Sequence, residues 1–416
     1  MATFSSSTIT VAKQIRTPNA YLPAAGVAAS LLTGGFDKPY VFGLAMALAS
    51  KGALVDIVGG EDVDCPEMHT TPQLRFLNLR GNKGKAGFVL KAWRVLLYYA
   101  RLVRYGAIAQ PKVFHILWNN KFEFFDRTLL MLYYKMLGKK IVFTAHNVNA
   151  GKRDSNDSWL NRATLGVQYR LADHIFVHTE AMKHELLRDF RVPEKVVSVI
   201  PFGINNSVPD TTLTPRDAKR QLGLQEGERT ALFFGSIRPY KGLEYLVDAF
   251  LQVAVAHSDY RLIIAGQPGK GTERYLSEIQ GTLSRHVKPG HVLQKIEYIP
   301  DEQTELYFKA ADVVVLPYTE VYQSGVLFLA YSFGLPVVAA DVGAFRENII
   351  SGETGYLCRP CDSADLARVI EAYFGSELFK DLDQRRPLIR DYANSRNSWT
   401  IVAERTRQVY SELSAR

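Results

Sequence analysis

Arg238 and Lys241, separated only by Pro239 and Tyr240, lie in the stretch TALFFGSIRPYKGLEYLVDAF (residues 230–250), where the hydrophobic period changes. Residues 231–234 form a short apolar run of the kind a buried parallel strand shows, whereas Leu243, Leu246, Val247 and Phe250 recur at helical spacing after Gly242. A guanidinium and an ammonium between a strand end and the positive start of a helix are placed to reach phosphate oxygens, and Gly235 lets the backbone approach closely. The chemistry this predicts is diphosphate binding. An ordinary strand–loop–helix connection with two solvated cations fits the same pattern, so a second stretch has to decide.

Positioning such a site takes a repeated strand–turn–helix frame, and the chain supplies one. At 416 residues it exceeds what one core usually organises, and its 47% hydrophobic content is ordinary for a globular protein, which predicts two domains. The apolar run 20–32 follows Lys13 and Arg16 as a leader peptide would, but it contains Pro23, is too short to span a membrane and runs into Gly34-Gly35. It reads as a first strand, followed by helical positions Val41, Leu44, Ala45 and Leu48 and a second strand at 54–58. No transmembrane run follows.

Further strands are expected at 113–117, 141–144, 175–178 and 197–200, and residues 205–215 read as a linker. The alternation repeats at 231–234, 261–265, 313–316 and 336–339. The expected fold class is α/β with two Rossmann-like, doubly wound domains and a cleft between them. The first domain comprises 1–205 joined by a closing helix at 398–416, and the second 206–397. In open sheets of this kind ligands collect beyond the carboxyl ends of the strands, which makes His146 in TAHN a site candidate and His115 a weaker one. A structural hydrogen-bonding role is the alternative for both.

A net charge of +8 points to nucleic acid, an anionic membrane surface or anionic small substrates, and no RRM or C2H2 signature supports the first. Three cysteines are too few for a disulfide framework and suit a reducing, cytoplasmic setting. Cys358 and Cys361 form a CxxC without a second pair and read as small core thiols. Residues 84–105 form a basic amphipathic helix, with Lys91, Arg94, Tyr98 and Arg101 on one face and Val89, Trp93, Leu96, Ala100 and Val103 on the other. Packing on its own sheet is the leading reading and contact with an anionic membrane the alternative.

Three look-alikes fall away. Gly266-Gln267-Pro268-Gly269-Lys270-Gly271-Thr272 resembles a P-loop but lacks its four-residue spacing. Asp62-Val63-Asp64 imitates a metal-binding carboxylate pair and reads as solvated loop. No Ser-His-Asp order or G-x-S-x-G elbow supports a hydrolase.

The second stretch is LPYTEVYQSGVLFLAYSFGLPVVAADVGAFRENIISGETGYL, residues 316–357. With Gly34-Gly35, His146, FFGSIRPYKG and the closing helix at 399–413, it resembles a retaining glycosyltransferase of the GT-B architecture, closest to glycosyltransferase family 4. The resemblance implies a donor site on the second domain, an acceptor site on the first, and transfer from a nucleoside diphosphate sugar to a hydroxyl of a glycan, a lipid-linked molecule or a small molecule. Arg238 and Lys241 match the cations that neutralise the donor diphosphate, and Ser324, Gly325 and Val326 match the turn whose amides take the distal phosphate. Gly35 matches a glycine that passes close to the same diphosphate, and His146 a residue beside the transferred sugar.

A spaced glutamate pair usual in the family falls here on Val321 and Leu329, with Glu320 one position away as a partial substitute and Leu329 expected to pack. The resemblance further implies no metal, no cofactor besides the donor substrate and a front-face retaining route; the expected location is cytoplasmic, with peripheral contact at the inner face of a membrane as the alternative that the basic helix leaves open. A degenerate sugar-nucleotide binding protein and a nucleotide-sugar epimerase are the alternatives.

Overall fold

The computed structural model describes residues 26–34, 37–81, 84, 87–153, 157–204 and 208–415. The chain divides into two compact units, Met1–Gly203 with Trp399–Arg416, and Ile204–Ser398.

The first unit is built on seven parallel strands, β1 (Ala28–Leu32), β2 (Leu54–Gly59), β3 (Leu74–Asn78), β4 (Val113–Ile116), β5 (Lys140–Thr144), β6 (His174–Val177) and β7 (Val197–Val199), in the order β3-β2-β1-β4-β5-β6-β7. The inner strands are nearly continuous apolar runs because both sheet faces are covered. Strand order reverses between β1 and β4, and their register, Leu32 opposite Ile116, brings the two following loops together beyond the carboxyl edge. Helix α1 (Lys38–Ser50) starts at Asp37, whose carboxylate accepts the Tyr40 amide, and buries Tyr40, Val41, Leu44, Ala45 and Leu48. The closing helix Trp399–Ala415 lies against α1, with the Trp399 indole where a Cβ on Gly43 would fall, 2.1 Å from Cε2. Its Val402, Ala403, Tyr410 and Leu413 join the first unit's core.

Of the two readings of His115 the structural one holds: it is fully buried, with Nδ1 2.5 Å from the Tyr410 hydroxyl and Nε2 2.7 Å from Thr144 Oγ1, so both ring nitrogens are used in packing the closing helix. One expectation is corrected in this unit. Helix α2 (Phe88–Ile108) does pack on its own unit, but through Tyr98, Tyr99, Leu102 and Tyr105. The face assigned to packing, with Val89, Trp93 and Leu96, is in water. The aromatic side of the helix carries more buriable area, and it takes Tyr98 from the supposed basic face inward.

The second unit has six parallel strands, β8 (Arg229–Phe234), β9 (Tyr260–Ala265), β10 (Val292–Lys295), β11 (Val313–Leu316), β12 (Val337–Ala340) and β13 (Gly355–Cys358), ordered β10-β9-β8-β11-β12-β13. Its switch point lies between β8 and β11. Residues 208–214 are not the free linker expected. Val208 is buried, Lys309 Nζ lies 2.8 Å from an Asp210 carboxylate oxygen, and Glu305 accepts the Thr211 amide at 2.6 Å. Pro215 opens a helix capped by Thr214. Of the CxxC pair only Cys358 is buried; Cys361 is exposed in a left-handed turn, so it is not a core thiol. Among the described residues no helix is long and apolar enough to cross a membrane.

Candidate functional site

In the second unit, the loop after β8 is held by its neighbours on both sides. Ile237 donates its amide to Gln267 O at 2.8 Å and accepts the Gly269 amide at 2.9 Å, while the Thr319 amide donates to Tyr240 O at 2.8 Å. The P-loop look-alike at 266–272 is thus a brace for this loop. Gly242 begins helix α3 (Leu243–Ala256) at φ 64°, and a Cβ there would sit 2.0 Å from Pro317 O, so only glycine allows the approach.

That approach fixes the turn Pro239–Lys241 and turns Lys241 inward. Its side chain is buried, with Nζ 5.5 Å from the Tyr318 ring centroid, in reach of a cation–π attraction. No carboxylate pairs with it among the described residues. Burial lowers its pKa, with Tyr240 acting against that shift and Arg238 with it. Arg238 is exposed and also unpaired among the described residues, and its stem lies along Gly269, where an added Cβ would meet Cγ at 3.0 Å.

These groups converge on the switch point. A Cβ on Gly235 would lie 3.2 Å from Lys241 Nζ and 3.6 Å from Val326 Cγ2. Helix α4 (Gly325–Ser332) starts at Ser324, which is buried and makes no side-chain cap, and the amides of Gly325 and Val326 have no intrahelical acceptor. A buried ammonium, an exposed guanidinium and open first-turn amides together suit an anion of two or more charges. Glu320 is partly exposed nearby in sequence, whereas Val321 and Leu329 are buried as packing residues. Gly35 lies outside the described residues.

In the first unit, His146 lies two residues beyond β5, its ring stacked on Trp118 with centroids 4.1 Å apart and met edge-on by Tyr40 at 4.6 Å. Its Nδ1 is 3.0 Å from His178 Nε2, and His178 Nδ1 is 3.2 Å from Ile200 O. Because a carbonyl only accepts, His178 Nδ1 bears the proton and its Nε2 accepts from His146 Nδ1–H. His146 Nε2 is left as a bare acceptor, shielded from solvent and without a partner among the described residues. That atom suits a ligand hydroxyl. Neither the stacking residue Trp118 nor the tautomer-setting His178 was singled out from the sequence, although His178 follows its strand as His146 does.

Burial holds these imidazoles neutral. His178 is pushed down to about 4 and His115 to about 3, while His146, with His178 and His115 adding to the burial effect, is well below the ordinary range. A depressed pKa contributes stability above the unfolded value near 6.5, and that stability is lost as pH falls through the folded value. For His178 the loss amounts to roughly 3 kcal/mol by pH 4, from about 1.4 kcal/mol per unit. Thermal melts at intervals from pH 7.5 to 4 are expected to fall chiefly below 6.5, and a flat profile would refute the neutral, buried assignment.

Two doubly wound parallel units, each with its strand order reversing at a switch point, are the parts of the GT-B class. Solved structures agree on the fold. The chain matches sucrose-phosphate synthase (tll1590) from Thermosynechococcus elongatus with TM-score 0.74 and 21% identity, covering 94% of this chain and 100% of that one. It matches Anabaena Alr3699/HepE in complex with UDP and glucose with TM-score 0.72 and 17% identity, covering 93% and 100%. Residues 228–375 fit the family described as Glycosyl transferases group 1, and residues 39–208 fit Glycosyltransferase Family 4. The chain belongs to the group 1, family 4 glycosyltransferases. A D-inositol 3-phosphate glycosyltransferase of Corynebacterium diphtheriae is 27% identical over 289 residues, 66% of this chain and 65% of that protein. The match thus spans just under two thirds of that curated relative's length.

Proposed function

We propose that the protein transfers a glycosyl unit from a nucleoside diphosphate sugar to an acceptor hydroxyl with retention at the anomeric carbon. The observation behind this reading is Lys241, a buried ammonium with no carboxylate partner among the described residues, beside Gly235 and the open first turn of α4. Burying an unpaired charge is costly, and a diphosphate offsets that cost when it binds. As the bond from the anomeric carbon to the distal phosphate breaks, its electron pair goes to the phosphate oxygen, and Arg238 and Lys241 stabilise that charge. They supply the neutralisation a divalent metal gives elsewhere. Amides of Gly325 and Val326 hold the same phosphate, with Ser324 at the cap. The leaving oxygen then takes the proton of the acceptor hydroxyl on the same face, while His146 Nε2 accepts a hydrogen bond from a sugar hydroxyl.

Under this reading the second unit holds the donor and the first the acceptor, with the reaction run at the cytoplasmic face of a membrane where the acceptor is lipid-linked. UDP-sugars are the first donors to test, given a fold neighbour solved with UDP and glucose. Glu320 contributes a hydrogen bond to the donor, so Glu320→Gln is expected to weaken donor binding by roughly 1–3 kcal/mol, read by titration calorimetry. Unchanged affinity removes it from the site.

The deciding experiment is a thermal-shift screen with nucleoside diphosphates and their sugars, followed by NMR of the product's anomeric proton. A ligand at 100 times its Kd stabilises by about 2.7 kcal/mol. Stabilisation with retained configuration is expected; an inverted product sinks the mechanism, and binding without turnover or hydrolysis sinks the enzyme.

A further inference from the structure

Exposed apolar side chains are distributed very unevenly over this chain. Of the eighteen large ones among the described residues, fourteen fall within residues 89–167, and the second unit has only four. Twelve of these fourteen sit on three neighbouring helical stretches of the first unit, α2, residues 123–136 and Trp159–Leu171, and the other two, Phe122 and Leu137, flank the second. Tyr99 stacks on Phe122 at 5.4 Å, the Tyr133 hydroxyl donates to Val103 O at 3.0 Å, and Arg127 donates to Asn161 Oδ1 at 2.8 Å, so the three lie side by side. Outward from them point Trp93, Leu96, Leu132, Met136 and Trp159, the last 82% exposed. A soluble surface rarely concentrates this much apolar area without a partner.

Charge selects the partner. Those three stretches contain eight lysines and arginines against Glu123 and the buried Asp126; Arg127, Lys135 and Arg162 are paired with Glu123, Asp173 and Asp157, and the four cations of α2 make no such pair with a carboxylate among the described residues. A cavity of about 520 Å³ beside α2 is lined by Arg80, Lys91, Arg94 and Lys121, with no acidic side chain in its wall. Two such faces brought together would repel, which disfavours self-association. An anionic bilayer answers both features: its phosphates meet the cations and its acyl boundary takes the tryptophans and leucines.

We propose that this three-helix face of the first unit docks on an anionic lipid bilayer, anchored by apolar side chains as well as cations. The anchoring differs from the purely electrostatic contact of a basic helix, because apolar burial survives salt. It is independent of which sugar is transferred.

Co-sedimentation of the full chain with vesicles of phosphatidylcholine, with and without phosphatidylglycerol, tests it, using the variant Trp93→Gln/Leu96→Gln/Trp159→Gln. These positions are exposed, so the fold is expected to tolerate them. Binding is expected on the anionic vesicles only, partly retained in high salt, with a blue shift of tryptophan emission, and weakened roughly tenfold or more in the triple variant. Stabilisation by UDP should be equal in both proteins, which separates this surface from the donor site. Absence of sedimentation with anionic vesicles, or equal binding by the variant, overturns the proposal. So does a dimer in light scattering that the triple substitution dissolves in the absence of lipid.

Discussion

Arg238→Ala and Lys241→Met will each lower kcat by roughly 10²-fold or more, with the fold intact. In the proposed scheme the two side chains reach the leaving phosphate from different surroundings, so their substitutions differ in what else they do. Arg238 is exposed and unpaired among the described residues, and its removal costs only the packing of its stem on Gly269. Lys241 is buried, and methionine keeps the unbranched stem over Tyr318 while removing a charge whose burial is unfavourable in the free protein. Lys241→Met should therefore melt at the same temperature as the unmodified protein or higher, although it is the worse catalyst. Because both cations act most strongly on the departing diphosphate, kcat should fall more than KM rises. Steady-state release of nucleoside diphosphate together with denaturant melts checks both statements. Near-normal kcat in both variants removes the diphosphate from this turn.

How much of this was legible in the sequence depended on where each residue's partners came from. Interior strands such as β8, β9 and β11 carry the unbroken apolar runs ALFF, LIIA and VVVL because helices cover both faces, and that pattern is local. The edge strands β3, β10 and β13 escaped, since LRFLN, VLQK and GYLC mix polar or small residues into runs that are covered less completely. Helix α2 was found from its period, but which face turns inward was decided by Tyr98, Tyr99 and Tyr105 meeting the rest of the unit, which spacing alone does not reveal. His115 and His146 carry the same signal, a histidine at a strand end. They part company only because Tyr410, nearly three hundred positions away, closes on the first. The burial of Lys241 likewise depends on Gly242 meeting Pro317, two segments distant in the chain. Buried, it becomes a stronger sign of an anion site than its spacing from Arg238.

His146→Ala is expected to lower kcat by roughly 10²-fold, and the more telling comparison is at its neighbour. His178 touches no substrate in this scheme; it is a positioning residue that keeps the proton on His146 Nδ1 and leaves Nε2 free to accept. His178→Phe removes the acceptor, so His146 loses its fixed tautomer and half of its rings present a donor where an acceptor is needed. His178→Gln restores it, because the amide oxygen accepts from Nδ1–H. Activity should fall about tenfold in the Phe variant and return close to normal in the Gln variant. The pH profile adds a readout that loss of packing would not move. His178 is one of the groups that hold the His146 pKa down, after burial, so without it the acidic limb of kcat should shift toward higher pH. Equal losses in the Phe and Gln variants, with an unmoved acidic limb, would leave His178 as core packing and His146 without a fixed acceptor.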